Sequence, residues 1–574
     1  MRHPRLDPMQ AVRRAAGLFA AAALSLGVRG GPAPARAETA GIRPPAVAGR
    51  FYPAEAARAE AAVRAFLADA VPGAGEAPLG LLAPHAGWIY SGQVAADAWA
   101  RAAGRDYDVI VVLGTNHTDP GFTGVSIWPD GGYRTPLGVA RVDAAARALI
   151  DADADFTFRR AVHEREHSVE VQLPFAQVLF PGATYLLAVV GDADPGLCDR
   201  LGRALDTVLA GRRALVVASS DLSHYPAYGD AFRVDCATLR ALASLDPERF
   251  RAALREGRRG APAVSTCACG EAPALAMLAW ARARGAGRAE VLSYANSGHA
   301  LLGDRGRCVG YGALAVTAGA APGDAGILAP LAELEGKGAV PLQPLARGAA
   351  AGAPLAGAAG EVRIAPGDEA GDLPRPAVGV EDGAAATPGE TALDADERRW
   401  LLGFARACIR RYLETDTTPL PRGLPPRLAA GRGAFVTLKE GGRLRGCIGY
   451  MAEDLPVAQS VGRAALQAAF EDRRFRPVTA GELDGLTISI SLLTPAQPVD
   501  GPGDIVLGRD GIILEKGGRR AVYLPQVAPE QGWTLEETLS HLAEKAGLDA
   551  DAWRRGARFL TFQAEVFGER GADG

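Results

Sequence analysis

Lysine is scarce in this sequence of 574 residues, since only four of its 62 basic residues are lysine. Arginine is scattered along the chain instead, and alanine and glycine are abundant, a composition that we attribute to a GC-rich coding bias. The net charge is −4, and no stripe of basic residues with interleaved aromatics is present. The composition therefore gives no reason to expect a nucleic-acid partner.

Cysteine is also sparse, with seven dispersed residues and no C-x-x-C pair. Such an odd, dispersed set is not a disulfide framework, and a zinc finger built on C-x-x-C pairs is excluded. The sequence also lacks an apolar run of about 20 residues, the length that spans a bilayer. Its hydrophobic content of 48% and charged content of 22% are those of globular material. The length predicts two or three domains.

The first 37 residues resemble an export signal. A pair of arginines precedes an apolar segment over residues 15–28, and residues 35–37 read Ala-Arg-Ala, which fits an A-x-A cleavage site. The arginine pair leaves the general secretory and twin-arginine routes both open. We therefore expect a mature protein that begins at Glu38 and is periplasmic or secreted; without a working signal it would be cytoplasmic.

Three regions follow. Residues 44–316 alternate short apolar strands with amphipathic helices, which predicts an α/β domain with a mainly parallel sheet. Residues 317–391 are dominated by alanine, glycine and proline, and predict a flexible linker between independently folding domains. Residues 392–570 predict a smaller α+β domain that begins with a helix capped by Asp394. The predicted strands are 81–83, 108–113, 184–190, 214–218, 289–294 and 308–316, and then 434–438, 444–449, 486–493 and 559–566.

Three of the predicted strands end just before a histidine. The first strand leads to His85, the second to His117, and the strand at 214–218 leads to Asp221 and His224. Parallel strands bring their carboxyl ends to one edge of a sheet, where α/β proteins bind ligands. Six of the eight histidines lie in this first domain. One site at one edge of the sheet is therefore expected.

The residue types at this edge indicate a metal centre, because neutral imidazole is the commonest ligand for zinc, copper and iron. Cys269 comes just before a predicted helix that starts at Glu271, and a helix N-terminus favours the thiolate that binds metal. Asp221 lies three residues before His224, where it could orient the imidazole or accept a proton.

Other residues have competing interpretations. His163 and His167 match the zinc-protease pattern H-E-x-x-H, but that pattern works only on a helix. Ser168 resembles the N-cap of the next helix, which would place both histidines ahead of it and give His167 a supporting role. His299 is expected in a loop near the cleft. Cys447, which lies between glycines in the second domain, is either a packed small residue or a reactive thiol.

Five motifs, in order, make residues 44–316 resemble the Memo family. They are Pro45–Pro53, Pro84–Gly92, Leu113–His117, Glu166–Ser168 and Ser219–Tyr225. The fold of that family is similar to that of the class III extradiol ring-cleaving dioxygenases, which bind non-haem iron through two histidines and one carboxylate.

The resemblance implies roles for individual residues. His85 and His117 match the two histidine ligands of the metal. Cys269 matches the position where Memo-type proteins have a cysteine in place of the carboxylate, so the dioxygenase reaction cannot simply be transferred. His224 matches the acid–base histidine of the dioxygenases, with Asp221 beside it.

Residues 394–568 resemble a second family, AMMECR1. The motifs are Leu444–Gly449, Ala469–Phe475, Ser489–Thr494, Tyr523–Ala528 and Glu530–Trp533. The chain therefore looks like a fusion of components B and A of the system named AmmeMemoRadiSam. The third component of that system is a radical-SAM protein, which the resemblance implies as a partner.

Two functions are compatible with these patterns. The first is a metal-dependent redox enzyme of the oxygenase type, with iron or copper in the first domain. The alternative is a non-catalytic scaffold that uses a dioxygenase-like cleft to bind a peptide or an anion. The cysteine in place of a carboxylate and the fusion to a domain without visible chemistry favour the alternative. The sequence itself names no substrate.

Overall fold

The computed structural model describes residues 41–319 and 393–569, apart from residues 74, 423 and 452–454. All of the described residues fall within one compact unit. The expected export signal and the expected linker from residue 320 onward lie outside this part of the chain. Among the described helices, none combines the length and the apolar character that a membrane span requires.

The first domain is built on an eight-stranded sheet. Its strands, with those of a small three-stranded sheet, are β1 (Ile42–Arg43), β2 (Gly80–Ala83), β3 (Val109–Thr115), β4 (Val125–Ile127), β5 (Gly132–Thr135), β6 (Gly138–Arg141), β7 (Phe156–Thr157), β8 (Thr184–Val190), β9 (Ala214–Ser219), β10 (Arg288–Asn296) and β11 (Gly310–Thr317). The large sheet has the order β10-β11-β2-β9-β3-β8-β4-β7, and the small sheet has the order β1-β5-β6.

The four central strands of the large sheet, β2, β9, β3 and β8, are parallel. On either side of them, β11, β10 and β4 pair in the antiparallel sense. The α/β prediction is confirmed; the sheet is mixed, with four parallel pairings, including that of β4 with β7, and three antiparallel ones. β10 and β11 are joined without an α-helix, so the chain returns antiparallel, whereas the parallel pairs have crossover connections.

Helices cover both faces of the large sheet. They are α1 (Ala56–Ala68), α2 (Trp88–Ala100), α3 (Ala145–Asp151), α4 (Arg160–Glu164), α5 (Leu173–Leu179), α6 (Pro195–Val208), α7 (Tyr228–Ala243), α8 (Pro247–Gly260) and α9 (Glu271–Ala283). In β3, Val109, Val111 and Leu113 face the core under α6, α7 and α9, whereas Ile110 and Val112 face the core under α1, α2 and α5. A strand that is buried on both faces has a continuous run of apolar residues, and such a run predicts β3 from the sequence.

The second domain has two antiparallel four-stranded sheets, with the orders β13-β12-β14-β19 and β15-β18-β16-β17 once its strands are numbered along the chain. These are β12 (Ala434–Glu440), β13 (Arg443–Tyr450), β14 (Leu486–Leu493), β15 (Gln497–Val499), β16 (Gly511–Lys516), β17 (Arg519–Tyr523), β18 (Arg558–Phe562) and β19 (Ala564–Gly568). Its helices are α10 (Ala395–Thr415), α11 (Pro426–Ala429), α12 (Val457–Phe470), α13 (Val527–Gln531) and α14 (Leu535–Lys545). The single strand expected at 559–566 is wrong, because the chain leaves one sheet at Gln563 and enters the other.

A buried ion pair ties the beginning of the described chain to the segment that carries two site residues. Arg43 in β1 donates to Glu170 at 2.6 Å, and neither side chain is exposed. The same guanidinium donates to the backbone carbonyls of His163, at 2.7 Å, and of Glu166. Glu170 also accepts a hydrogen bond from the Tyr52 hydroxyl at 2.8 Å. Arg43 thereby holds both ends of the 163–166 turn.

Replacing Arg43 by methionine should lower the free energy of unfolding by about 3–5 kcal/mol, because the Glu170 carboxylate would stay buried without its cation. Chemical denaturation followed by circular dichroism would measure the loss. Arg64→Met is the matched control, since Arg64 is 65% exposed and pairs with Glu60 on its own helix. A control loss above about 0.5 kcal/mol, or equal losses in both variants, would contradict the argument.

Candidate metal centre

The tautomer of His85 follows from its hydrogen bonds. The ring Nδ1 lies 3.1 Å from the hydroxyl oxygen of Ser219. That hydroxyl has one hydrogen and donates it to the backbone carbonyl of Ser168 at 2.6 Å. Nδ1 must therefore be the donor, which leaves the lone pair of Nε2 free. His85 Nε2 lies 3.3 Å from the sulfur of Cys269.

His117 is held by the carboxylate of Glu166. Its ring Nδ1 lies 3.0 Å from Oε1, and its backbone N–H donates to Oε2 at 2.7 Å. The backbone N–H groups of His167 and Ser168 donate to the same carboxylate, each at 2.9 Å. Burial alone would raise the pKa of Glu166, but the bond and charge of His117, with these other donors, lower it to about 2. The His117 Nε2 is left free, as in metal-binding histidines backed by a carboxylate.

Within the part of the chain that the structure describes, two groups of three side chains bring potential ligand atoms within 4.8 Å of one another: His85, His117 and Cys269, and His117, Glu166 and His167. The oxygens of Glu166 already accept four N–H bonds, so its carboxylate supports a ligand and is poorly available as one. The first group fits a metal ion better. His167 stacks on His117 with 4.7 Å between ring centroids and lines the same space.

The pKa values of the three candidate ligands are shifted in different directions. Burial, together with the neighbouring His117 and His167, holds the pKa of His85 well below its usual value. Burial also opposes a charge on His117, but the hydrogen bond and charge of Glu166 outweigh it and raise the pKa of His117. Burial, and then the nearby Asp221 carboxylate, raise the pKa of the Cys269 thiol. The thiolate expected from the helix N-terminus is therefore wrong for the metal-free chain. A metal would have to displace that proton.

Asp221 does not pair with His224 as the sequence analysis expected. Its Oδ1 accepts the backbone N–H groups of His85, at 2.8 Å, and of Ala86, at 3.2 Å. Burial raises the pKa of Asp221 to about 6, although those two donors oppose the shift. Asp221 thus positions the loop after β2. The Nε2 of His224 is buried and has no hydrogen-bond partner among the described residues, and the residue is near enough to His85 and His117 for their charges to interact.

Backbone contacts fix the place of His224. Its N–H donates to the carbonyl of Thr266 at 3.0 Å, and the N–H of Tyr225 donates to the carbonyl of Cys308 at 2.6 Å. Tyr225 has a φ of +79°, which is strained for a bulky residue. Such strain is characteristic of functional sites. Burial and the charge of His117 lower the pKa of His224 to about 4.

The zinc-protease interpretation is wrong. His163 is buried, with Nδ1 2.5 Å from the Tyr133 hydroxyl and Nε2 2.9 Å from the Ser126 hydroxyl. Both ring nitrogens therefore have partners in the core. His299 is likewise held, by Asn296 and by the Tyr228 hydroxyl.

Cys447 lies 3.2 Å from the Thr437 hydroxyl, and burial raises its pKa. Because a raised pKa lowers the thiolate fraction, this favours the packed residue over the reactive thiol.

Sequence patterns do not place Glu166 in the site, and they give His167 only a supporting role. The signal for Glu166 was its place directly before His167 and Ser168, in a motif already noted. What the spacing could not tell is that the carboxylate turns back to accept two hydrogen bonds from His117, which is 49 residues earlier in the chain.

Two histidines and a cysteine, gathered where parallel strands end, define an α/β protein with a candidate metal centre. Residues 43–315 match the model of the Memo-like proteins, and residues 402–567 match the model of the AMMECR1 family. The chain is 35% identical over 289 residues to a MEMO1 family protein of Aeropyrum pernix, and the match covers 48% of this chain and 99% of that protein. The chain belongs to the Memo family, and it carries an AMMECR1 domain after the Memo domain.

Shorter relatives are also similar to part of the chain. A protein of Thermofilum pendens is 42% identical over 195 residues, which are 31% of this chain and 92% of that protein. Among solved structures, the crystal structure of the uncharacterized protein PH0010 of Pyrococcus horikoshii matches with 36% identity. That match covers 32% of this chain and 96% of the other, with a TM-score of 0.30.

Proposed function

We propose that the protein is a metal-dependent redox enzyme of the oxygenase type, with iron or copper bound by His85, His117 and Cys269. The observation that carries this proposal is the commitment of both Nδ1 atoms, to Ser219 and to Glu166, which leaves both Nε2 lone pairs free where ligand atoms of His85, His117 and Cys269 lie within 4.8 Å of one another. Two imidazoles and a sulfur suit a soft or borderline metal, which a site of carboxylates would not. Bound there, the metal would supply electron transfer to a substrate or to dioxygen.

The protein's own residues would prepare the site. Asp221 and Glu166 hold the loops that carry His85 and His117, so that the ligands need little rearrangement on binding. The unpartnered Nε2 of His224 is available to take a proton from a substrate. A radical-SAM protein as working partner, and an export route to the periplasm, belong to the proposal through resemblance alone.

A second function has its own support. The 3.3 Å contact between His85 and Cys269 is also the geometry of a thiol donating to an imidazole. The two groups could therefore satisfy each other without a metal, as in a non-catalytic scaffold that binds a peptide or an anion in this cleft.

Elemental analysis and an oxygen-uptake assay, both on protein purified without oxygen, distinguish the enzyme from the scaffold. If the protein is an enzyme, elemental analysis should find about one iron or copper ion per chain. The protein should also take up oxygen when it is given a catechol or a thiol, and the Cys269→Ser substitution should abolish that uptake. Unchanged oxygen uptake in Cys269→Ser, or a native chain that neither contains nor takes up either metal, would refute it. Metal-free protein that binds a peptide or an anion would support the scaffold.

A further inference from the structure

The two domains meet through a compact apolar cluster. Leu301 of the Memo domain, which is 1% exposed, is surrounded by side chains of the AMMECR1 domain. The cluster comprises Leu301, Phe404, Cys408, Tyr412 and Leu466, with Ile89, Leu302, Trp400 and Phe470 at its margin. Without the second domain Leu301 would face water. This surface of the Memo domain is therefore built to be covered.

A buried carboxamide adds specificity to the contact. Gln459 in α12 is 3% exposed. Its Nε2 donates to the carbonyl of Gly298 at 2.9 Å and to that of Ala300 at 2.8 Å. Both hydrogens of one amide group are thus used across the domain boundary, on carbonyls of the short helical turn Ser297–His299 and of its C-cap Ala300. Packing alone would not require this geometry.

A charge buried in the Memo domain is neutralised by the AMMECR1 domain. The Asp97 side chain in α2 has no exposed surface, and Arg422 donates to both of its oxygens, at 3.1 Å and 2.5 Å. The carboxylate also accepts bonds from the backbone N–H of Val71 and from the Ser293 hydroxyl. Among the described residues, no basic side chain of the Memo domain pairs with Asp97. A buried carboxylate that loses its cation is strongly destabilising.

The contact holds the segments on two sides of the candidate metal centre. Ile89 and Asp97 belong to α2, which begins three residues after His85. On the other side, the turn held by Gln459 is joined through Val309 to His224, since Ser297 N–H donates to the Val309 carbonyl and Val309 forms a bridge with His224.

We infer that the AMMECR1 domain is a docked protein partner of the Memo domain, and that the contact persists when the covalent connection is cut. The partner that fits this face is a chain of the AMMECR1 type, with an apolar helix pair and an arginine for Asp97. The match to 99% of a MEMO1 family protein by 48% of this chain supports the view that a Memo chain exists without a fused second domain. This inference adds a docking contact to the expectation of independently folding domains, which stays a prediction. It does not depend on the proposed redox function.

The test uses the full chain with a protease recognition sequence inserted near residue 355, within the stretch that composition predicts to be a linker. After cleavage at micromolar concentration, we expect the two fragments to co-elute in size-exclusion chromatography with a one-to-one mass by native mass spectrometry. Two separately eluting, folded fragments would overturn the inference. A larger mass would indicate aggregation and would count against it as well.

Arg422→Ala and Gln459→Leu in the cleaved chain test the named contacts. We expect the Arg422 variant to weaken the association roughly 10²-fold or more, as loss of one partner of a buried charge pair does. Arg399→Ala is the control, because Arg399 is 75% exposed on α10 and pairs with Asp396 on the same helix. If Arg422→Ala fails to fold, the milder Arg422→Gln replaces it. Dissociation constants equal to the control in both contact variants would refute the assigned interface.

Discussion

Replacing His117 by alanine should leave the protein folded but almost free of metal after purification without oxygen. His117 has its Nδ1 committed to Glu166 and its Nε2 free, so its loss removes a ligand without removing a core residue. We expect a fall in metal affinity larger than the roughly 10–100-fold that loss of an outer-shell partner costs. Elemental analysis and a competition assay with a chelating dye measure it.

Two further variants serve as comparisons for this result. Glu166→Gln keeps the size of the side chain but removes the charge behind His117, and its metal affinity should fall roughly 10–100-fold. His541→Ala, an exposed histidine of the AMMECR1 domain, should leave the metal content unchanged. Full metal occupancy in His117→Ala would remove His117 from the ligand set.

The pH dependence of binding follows from the same groups. Glu166 raises the pKa of His117 against the effect of burial, and burial raises the pKa of Cys269. Both ligands must lose a proton to bind metal, so affinity should rise with pH and weaken as the pH falls through the pKa of His117. Glu166→Gln removes the raising influence and should move that weakening to lower pH, a direction that a purely structural role of Glu166 would not predict.

The features that are best predicted from the sequence are those that depend on residues close to one another in the chain. The strands before His85 and His117 were recognisable because a central strand covered on both faces is a continuous apolar run, and a parallel sheet then brings their ends together. Only the position of Cys269 relative to them needed the family resemblance.

Long-range contacts could not be predicted in the same way. Asp221 is three residues from His224, which suggested a pair, but its carboxylate turns to the backbone of His85, 136 residues away. The break at Gln563 depends on a hydrogen bond from its N–H to the Thr494 hydroxyl. The salt bridge between Arg422 and Asp97 spans 325 residues. Each of these three contacts depends on how separate helices, strands and loops pack together, and sequence periodicity does not indicate that packing.

His224→Gln should retain metal near wild-type stoichiometry while any turnover falls roughly 10²–10⁴-fold, the usual range for losing a general acid or base. The Nε2 of His224 has no hydrogen-bond partner among the described residues, and His224 is near enough to His85 and His117 for their charges to interact. Burial and the charge of His117 lower its pKa to about 4, so it is neutral at pH 7 and can accept a proton. A metal cation nearby would lower the pKa further.

The pH profile of turnover separates this role from a structural one. With His224 as the base, the acidic side of the profile should fall near pH 4 or below, and His224→Gln should lose that limb. A limb above pH 6.5 would instead fit a histidine whose pKa is raised by a paired carboxylate. His541→Gln is the matched control, since it changes an exposed histidine far along the chain.

Loss of metal in His224→Gln would make His224 a third histidine ligand and leave Cys269 as the doubtful member. Retained metal with unchanged turnover would exclude both roles and favour the scaffold.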